Sequence, residues 1–272
     1  MENHFTHLHL HTEFSLLDGA ISLNRLIEYG KTHKLKALAI TDHGNIFGAV
    51  EFFQKCKKAG IKPIIGMEAY LCEDVSTKSV DNKYYHLIIL VQNEIGYKNL
   101  CKLIAFSFKE GFYFKPRIDY KILEQHAEGL IVTTACLGGH IPKLLMSDQM
   151  DLVHERIDWF LRVFGKERFY LEVQPEDQDD QKILNQKIFD LAQERNLHVV
   201  AAGDCHYPTL EDHEAHEVLL NVQSGEPVAY WERDHQDRPT HRVLNPKRRT
   251  YPSREYYFKT QAEMSHLFSD LP

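Results

Sequence analysis

The feature that most constrains the fold is an alternation of short apolar runs with longer amphipathic stretches. Short apolar runs predict strands, and apolar residues spaced three or four apart predict helices. Alternating units of this kind predict a mostly parallel sheet covered by helices. The predicted strands are 6–12, 37–43, 63–71, 86–91, 130–135, 169–173 and 198–204. The predicted helices are 23–33, 46–58, 97–108, 120–125, 141–146, 152–164, 179–195 and 211–221.

Seven strands with this many helices favour an α/β fold of the distorted seven-stranded βα-barrel type, although the pattern alone leaves an open sheet as the alternative. The 272 residues match the ordinary size of a βα barrel. One connection, residues 72–85, is polar and carries no helical pattern. Because parallel strands need a long crossover, the strand that begins at His86 is expected to run antiparallel to the preceding one.

The domain division follows from a change in composition near the end of the chain. Residues 1–222 form the predicted barrel core, and residues 223–272 form a loop-rich extension on its surface. Within 238–259 there are seven basic residues and three prolines, and Glu255 is the one acid. A short helix is predicted at 263–267.

The composition of the chain argues against several classes of protein. No apolar run is long enough to span a bilayer, and the first residues lack the basic and apolar regions of a signal peptide. The five cysteines are scattered and form no CxxC pair, which argues against a disulfide framework or a zinc ribbon. A cytoplasmic location is therefore expected. The net charge of −7 argues against a broadly basic nucleic-acid surface, whereas 17 histidines point towards metal binding.

Three histidines share one face of the first predicted strand. His7, His9 and His11 alternate with leucines, so their side chains point to the same side. Two imidazoles at this spacing can chelate one metal ion, although a polar strand face without a ligand is the alternative. Alternation alone does not separate His7 from the other two.

Three more predicted strands carry metal-binding side chains at or near their carboxyl ends. Asp42 and His43 end one strand, Glu68 lies inside another, and Asp204 and His206 lie at the end of the last. Taken singly, Asp42 could cap the next helix and Glu68 could face water. Together they predict a metal site, because active sites of βα barrels form at the carboxyl ends of the strands.

The same segments resemble the PHP (polymerase and histidinol phosphatase) family. The motifs, in order, are His9-Leu10-His11-Thr12, Thr41-Asp42-His43-Gly44, the strand with Gly66 and Glu68, and Asp204-Cys205-His206. Finer segments resemble the PHP domains at the N-terminus of bacterial replicative DNA polymerases. These segments are 14–19, 60–66, 115–119, 136–139 and the closing 257–259 with 263–268. The resemblance runs from Phe5 to the end of the chain.

The resemblance implies a centre of three divalent metal ions. His9, His11, Glu68 and Asp204 would hold the first ion. Glu68 would bridge to a second, which His86 and Cys136 also hold. Asp18, His43 and His206 would hold the third. Phosphatase-type members usually carry histidines at the positions of Asp18 and Cys136. Zinc, manganese and iron suit such donors. The remaining histidines are expected to be surface or structural residues: His4, His7, His126, His140, His154, His213 and His216.

The resemblance also implies a function, with three alternatives. The first is metal-dependent hydrolysis of a phosphodiester at a DNA 3′ end, a 3′–5′ exonuclease with His11, Glu68 and Asp204 at its catalytic centre. The second is an inactive, metal-stabilised scaffold that docks a separate proofreading subunit. The third is a free-standing phosphatase of the histidinol phosphatase kind. Lys115 and Arg117 could contact a substrate phosphate, or could lie in a solvated loop.

Nothing in the chain resembles a polymerase palm with its acidic triad. The chain is therefore expected to be one domain of a longer polymerase subunit, whose other domains would be its partners. The basic stretch in the extension would contact the next domain, or alternatively DNA. No membrane partner is expected.

Overall fold

A computed structural model describes residues 5–175 and 177–269. Its strands are β1 (His9–Leu10), β2 (Ala37–Ile40), β3 (Lys62–Cys72), β4 (Tyr84–Val91), β5 (Phe112–Tyr113), β6 (Lys115–Asp119), β7 (Leu130–Thr133), β8 (Phe169–Val173), β9 (His198–Ala201), β10 (Asp204–Cys205), β11 (Ala229–Arg233) and β12 (Pro239–Leu244). Its α-helices are α1 (Leu23–Thr32), α2 (Ala49–Ala59), α3 (Glu94–Lys109), α4 (Tyr120–Gln125), α5 (His140–Met146), α6 (Met150–Phe164), α7 (Asp179–Arg195), α8 (His213–Ser224) and α9 (Gln261–Leu267). His4 and residues 270–272 of the predicted extension lie outside the described residues.

The strands form a curled sheet, which confirms the α/β prediction. The order is β5-β6-β3-β4-β7-β8-β9, and β2 pairs with the first half of β3. Strands β1 and β10 pair in parallel, and the Thr41 amide donates to the Leu10 carbonyl at 2.8 Å, which ties β1 to the end of β2. The last predicted strand is split into β9 and β10. The curled sheet and the β1–β10 pair therefore surround one interior as a distorted barrel.

Strands β3 and β4 are antiparallel, as the helix-free connection predicted. Their register pairs Gly66 with Leu90 and Tyr70 with His86. His86 consequently lies beside the carboxyl-terminal half of β3, although it stands near the start of its own strand.

The short elements near turns differ from the sequence prediction. The first strand was predicted over 6–12 and is confined to His9–Leu10. Residues 115–119, for which a solvated loop was one alternative, form β6, which pairs in parallel with the end of β3. The extension was expected to be loop-rich, yet it contains the β11–β12 hairpin. Both were missed because Pro116 and Pro239 interrupt the usual strand pattern; each lies at the start of its strand, where proline disturbs the pairing least.

Two apolar cores hold the helices against the sheet. The larger includes Leu100 and Leu103 of α3 and Phe160 of α6. The smaller lies under the first two helices and includes Leu26 and Phe52. Burial of these side chains fixes the strands whose ends carry the predicted ligands. Among the described helices, none combines the length and apolar character needed to cross a bilayer.

Candidate metal centre

Strand register gathers the predicted ligands at one end of the barrel. His9 pairs with Asp204 across β1 and β10. An isolated bridge joins His43 to Glu68, and another joins His86 to Gly139. Residues far apart in sequence therefore become neighbours through backbone pairing.

The Glu68 carboxylate lies at the centre of the cluster, and its residue is fully buried. Four imidazole rings surround its two oxygens. The nearest nitrogens belong to His43 at 2.5 Å, His86 at 2.6 Å, His11 at 3.4 Å and His9 at 3.5 Å. The idea that Glu68 faces water is therefore wrong, and both of its oxygens are available as candidate metal ligands.

Asp204 is a second carboxylate in contact with the histidines of the cluster. Its Oδ1 lies 3.2 Å from His9 Nε2, 3.3 Å from His11 Nε2 and 3.4 Å from His206 Nδ1. Both carboxylates thus contact His9 of β1 and His11 just after it, which matches the first group of ligands that the resemblance implied.

Asp18 and Cys136 complete the cluster at opposite sides. Asp18 Oδ2 lies 3.0 Å from His43 Nε2 and 3.9 Å from His206 Nε2. Cys136 Sγ lies 3.5 Å from His86 Nδ1 and accepts a hydrogen bond from the Gly138 amide. Glycine is needed in this turn, since a Cβ at position 138 would lie 2.9 Å from the His86 ring. All nine predicted ligand positions therefore belong to one connected cluster.

The donors form three sets of three residues, and within each set the ligand atoms lie within 4.8 Å of one another. They are His9, His11 and Asp204; Glu68, His86 and Cys136; and His11, His43 and His206. The second set is the group implied for the second ion. The third set contains His11 where the resemblance implied Asp18, because the imidazoles of His11, His43 and His206 stack closely.

The fit of this cluster to cations can be tested by its hydrogen bonds. Among the described residues, several buried atoms that face the cluster form no hydrogen bond, because the close nitrogen–oxygen contacts that join them lack hydrogen-bond geometry. They are Nε2 of His9 and His11, Nδ1 of His43, both oxygens of Glu68 and Oδ1 of Asp204. Buried polar atoms are almost always paired, so such a concentration of unpaired acceptors and imidazole nitrogens fits bound cations.

Two supporting contacts orient the rings of His9 and His11 towards the cluster. Nδ1 of His9 donates to Glu172 at 2.8 Å, and Nδ1 of His11 donates to Ser15 Oγ at 3.1 Å. The Ser15 hydroxyl donates in turn to Asp42 at 2.7 Å. With Nδ1 protonated, each ring turns the lone pair of Nε2 towards the carboxylates, which is the usual arrangement behind metal-binding histidines.

Asp42 and Glu172 have roles that sequence reasoning did not assign. Asp42 accepts from the Thr12 amide and from Ser15, whereas α2 begins at Ala49 without a side-chain cap, so the capping alternative is wrong. Glu172 also accepts from Thr133 and is buried within the apolar strand β8. An acid inside an apolar strand was the signal that singled out Glu68, and it could have found Glu172 too.

The ionisation of the cluster follows from its mixed charges. Burial alone would raise the pKa of Glu68, but His86 and His43 hold this pKa well below its ordinary value. Burial alone would lower the pKa of His43, but Glu68 and Asp18 raise it to about 10. Burial and the neighbouring imidazoles lower the pKa of His11 to about 3, so this ring is neutral, the form that binds metal.

Cys136 needs a cation to become a ligand. Burial raises the pKa of its thiol well above the ordinary range, and the Asp204 and Glu68 carboxylates raise it further. A bound divalent ion reverses this effect because it stabilises the thiolate. Cys136 is therefore a neutral thiol in the absence of metal and a candidate ligand in its presence.

Tyr251 of the extension also belongs to the site, although no sequence signal marked it. Its hydroxyl donates to Asp18 Oδ1 at 2.8 Å, and its ring meets the His206 ring edge-on. His216 Nε2 donates to the Asp18 carbonyl at 2.8 Å. The extension and α8 thus hold Asp18 against the cluster.

Tyr251→Phe is expected to weaken the binding of the most weakly held ion about 10- to 100-fold. The substitution keeps the ring and removes only the hydrogen bond that orients Asp18, and supporting contacts of this kind contribute that much to metal affinity. Calorimetric titration with Mn²⁺ measures the change, with Tyr230→Phe, an exposed tyrosine of β11, as control. Unchanged affinity in Tyr251→Phe would show that Asp18 needs no such support.

A cavity of about 170 Å³ opens onto the cluster. Its lining includes the candidate ligands Asp18, His43, His86, Asp204 and His206, together with Tyr70, Tyr84, Lys115 and Tyr251. Lys115, one of the two residues proposed to contact substrate, therefore lies at the cavity.

Arg117, the other proposed phosphate contact, points away from the cavity. Its side chain is fully buried, and its guanidinium donates to the carbonyls of Gly111, Thr77 and Val75. The Arg117 side chain therefore connects the β5–β6 hairpin to the loop between β3 and β4. Both alternatives predicted for Arg117, a substrate contact and a solvated loop, are wrong.

Arg117→Met is expected to lower the free energy of unfolding by about 3 kcal/mol, since it leaves buried carbonyl groups without donors. Urea unfolding measures the loss. Arg162→Met, which removes an exposed ion pair with Glu124, should change stability by less than about 1 kcal/mol. An Arg117→Met protein of normal stability that binds DNA poorly would restore the substrate role.

His7, which precedes β1, makes its contacts away from those of His9 and His11. Its Nδ1 accepts from the Gly203 amide and its Nε2 donates to the Lys259 carbonyl. Burial lowers the pKa of His7 to about 4, so the ring is neutral. His7 is a structural residue that joins the extension to the barrel.

The fold and the cluster define a βα barrel with a histidine- and acid-rich centre, and the chain belongs to the PHP domain family. The family profile, described as "PHP domain", matches residues 7–176. The ligand candidates Asp204 and His206 and the supporting residue Tyr251 lie beyond the matched region.

Within this family, the chain is similar to two curated DNA polymerase subunits. The chain is 41% identical over 272 residues to DNA polymerase III subunit alpha of Borreliella burgdorferi, and 43% identical over 273 residues to that of Thermus aquaticus. Each alignment covers 98% of this chain but only 22% and 21% of the relatives. The chain therefore spans about a fifth of the length of these polymerase subunits.

Solved structures are more distantly similar. A two-domain protein of Bacteroides vulgatus containing a predicted PHP-like metal-dependent phosphoesterase is 15% identical, with a TM-score of 0.48, and the match covers 82% of this chain and 56% of that one. An amidohydrolase of Chromobacterium violaceum is 14% identical, with a TM-score of 0.47, over 90% of this chain and 93% of that one.

Proposed function

We propose that this domain is a metal-dependent phosphodiesterase within a bacterial DNA polymerase III alpha subunit, and that it removes nucleotides from DNA 3′ ends. The observation that carries the proposal is the set of unpaired buried donors and acceptors beside a cavity open to solvent. The two relatives named above align with 98% of this chain and are DNA polymerase III alpha subunits. This supports a polymerase domain over a free-standing phosphatase.

Three divalent ions are the cofactors we propose, held by the nine residues in the groups implied above. Imidazole, carboxylate and thiolate donors suit zinc, manganese or iron. When bound, such ions polarise a phosphoryl group, lower the pKa of a bound water and offset charge on the leaving oxygen.

The chain's own residues would bind and orient the substrate. Lys115 lines the cavity with its ammonium 5.3 Å from the centre of the Tyr70 ring, and from there it can pair with a phosphate oxygen. His11, Glu68 and Asp204 form the proposed catalytic centre, because they link the donor groups. Ser15 is engaged by Asp42 and His11, so it is not free to attack as a nucleophile.

A metal-stabilised scaffold is the second candidate, and one observation favours it. His9, His11 and Glu68 are fully buried, so ions held by these residues alone would have little access to substrate. Metal binding adds directly to folding free energy, and retained ligands are compatible with a purely structural role. In this case the domain would hold the polymerase together and dock a separate proofreading subunit.

Release of the 3′-terminal nucleotide from end-labelled single-stranded DNA separates the two candidates. The assay compares the parent protein with His11→Ala and Asp204→Asn in Mn²⁺ or Zn²⁺, with His235→Ala and Asp237→Asn at exposed positions as matched controls. Cleavage by the parent and controls alone supports the nuclease. Equal behaviour of all five proteins, with metal analysis showing ions in the parent, supports the scaffold.

A further inference from the structure

The described surface carries two bulky apolar residues in the left-handed backbone region beside the metal centre. We propose that one of them, Phe114, stacks on a base of single-stranded nucleic acid whose 3′ end enters the cavity, with Leu17 as a second apolar contact. This inference rests on the proposed function and deepens it, because it names the single strand as the substrate form.

The first observation is conformational. Phe114 has φ 59° and Leu17 has φ 60°. Bulky side chains rarely adopt this region, and each instance costs on the order of 1–3 kcal/mol. Burial does not offset this cost, since Phe114 is 75% exposed and Leu17 is 41% exposed. Both side chains are therefore directed outward, where they can meet another molecule.

The second observation is position. Phe114 precedes Lys115, and Leu17 precedes Asp18; Lys115 and Asp18 both line the cavity. The hairpin that carries Phe114 packs on the loop after His43, because a Cβ at Gly44 would lie 2.8 Å from Pro116 Cγ. The exposed ring is thus fixed to the same loops that shape the metal centre.

The third observation is size. The cavity of about 170 Å³ is smaller than the roughly 300 Å³ at which pockets for whole drug-sized ligands begin. A terminal phosphodiester and part of its sugar would enter, and the attached base would stay outside. The base then needs a contact outside the cavity, and Phe114, one residue before the cavity residue Lys115, offers an exposed aromatic face for it.

The fourth observation is chemical. Tyr113 meets the Phe114 ring edge-on at 4.6 Å, which braces the ring, and the next residue, Lys115, is a cation whose ammonium lies 5.3 Å from the centre of the Tyr70 ring at the cavity. An aromatic face with an adjacent cation is the usual means of binding single strands without sequence preference. Bases inside a duplex are already stacked on one another, so this contact favours an unpaired end.

The test is a binding measurement that does not require cleavage. Two 5′-fluorescein oligothymidylates of equal length, one with a normal 3′ nucleotide and one with a 3′-terminal abasic residue, are titrated by fluorescence anisotropy. The proteins are the parent, Phe114→Ala, Phe114→Tyr and Phe53→Ala. Phe53 is also partly exposed but lines a separate cavity, which includes the start of β3.

We expect the parent to bind the normal end about tenfold more tightly than the abasic end, the usual size of one base-stacking contact. Phe114→Ala should lose this preference and bind both oligonucleotides alike, while Phe114→Tyr and Phe53→Ala should keep it. Phe114→Gly should unfold at the parent temperature or above, since glycine tolerates the positive φ. Equal weakening of both oligonucleotides, or no change, in Phe114→Ala overturns the proposal.

Different results would contradict the nuclease proposal and the Phe114 proposal. Base-dependent binding lost in Phe114→Ala, in a protein that never cleaves DNA, supports the single-strand contact and counts against the nuclease. Cleavage that depends on Asp204, with no base preference in the parent, supports the nuclease and overturns the role of Phe114.

Discussion

Glu68→Gln is expected to lower phosphodiester hydrolysis by about a thousandfold, which corresponds to roughly 4 kcal/mol of barrier, and to remove at least one ion per chain. The Glu68 carboxylate lies within 3.5 Å of four imidazole rings and connects two of the donor sets. Glutamine has nearly the same shape but has one acceptor fewer and no charge. Elemental analysis and the 3′-nucleotide release assay measure the two effects.

The control for this substitution is Glu51→Gln, at an exposed residue that pairs with Lys55 one helical turn away. Because exposed pairs contribute little, both ion content and hydrolysis should stay at the parent level. A Glu68→Gln protein that keeps its full ion content and its full activity would show that Glu68 neither bridges nor binds ions.

The parts of the site that could be predicted from sequence are those set by strand geometry. Glu68 was singled out because an acid inside an apolar strand needs a partner, and the structure buries it among imidazoles. His86 stands near the start of its strand, and the missing helix before it predicted the antiparallel pairing that brings it to Glu68. Local pattern and connection length were sufficient in both cases.

The parts that could not be predicted depend on contacts between distant segments. Tyr251 lies 233 residues from Asp18 in sequence, and an isolated tyrosine in a basic stretch carries no signal for that hydrogen bond. His7 has the same alternation as its neighbours, yet its ring packs against Phe258 and bonds to Lys259 because the extension covers that end of the strand. Arg117 was misread because its acceptors are backbone carbonyls, which any sequence supplies.

Removal of metal is expected to lower the unfolding temperature of the parent protein by about 5–10 °C for each ion released. An ion present at a hundredfold excess over its dissociation constant stabilises a fold by about 2.7 kcal/mol, and each kcal/mol shifts the midpoint by about 2–4 °C in a domain of this size. In the absence of cations, Glu68 and Asp204 keep buried oxygens without hydrogen-bond partners in the described part of the chain. Thermal unfolding with and without a chelator measures the shift.

Chelation should also distinguish a specific site from a general effect on the fold. A double variant, His11→Ala with Asp204→Asn, removes donors from two of the three sets, so its lower midpoint should respond much less to the chelator. Adding Mn²⁺ or Zn²⁺ back should restore the parent and leave the variant nearly unchanged. If the parent lost its ions and kept its midpoint, the cluster would contribute nothing to stability. Retained ligands would then count in favour of catalysis, because the scaffold alternative depends on that stabilisation.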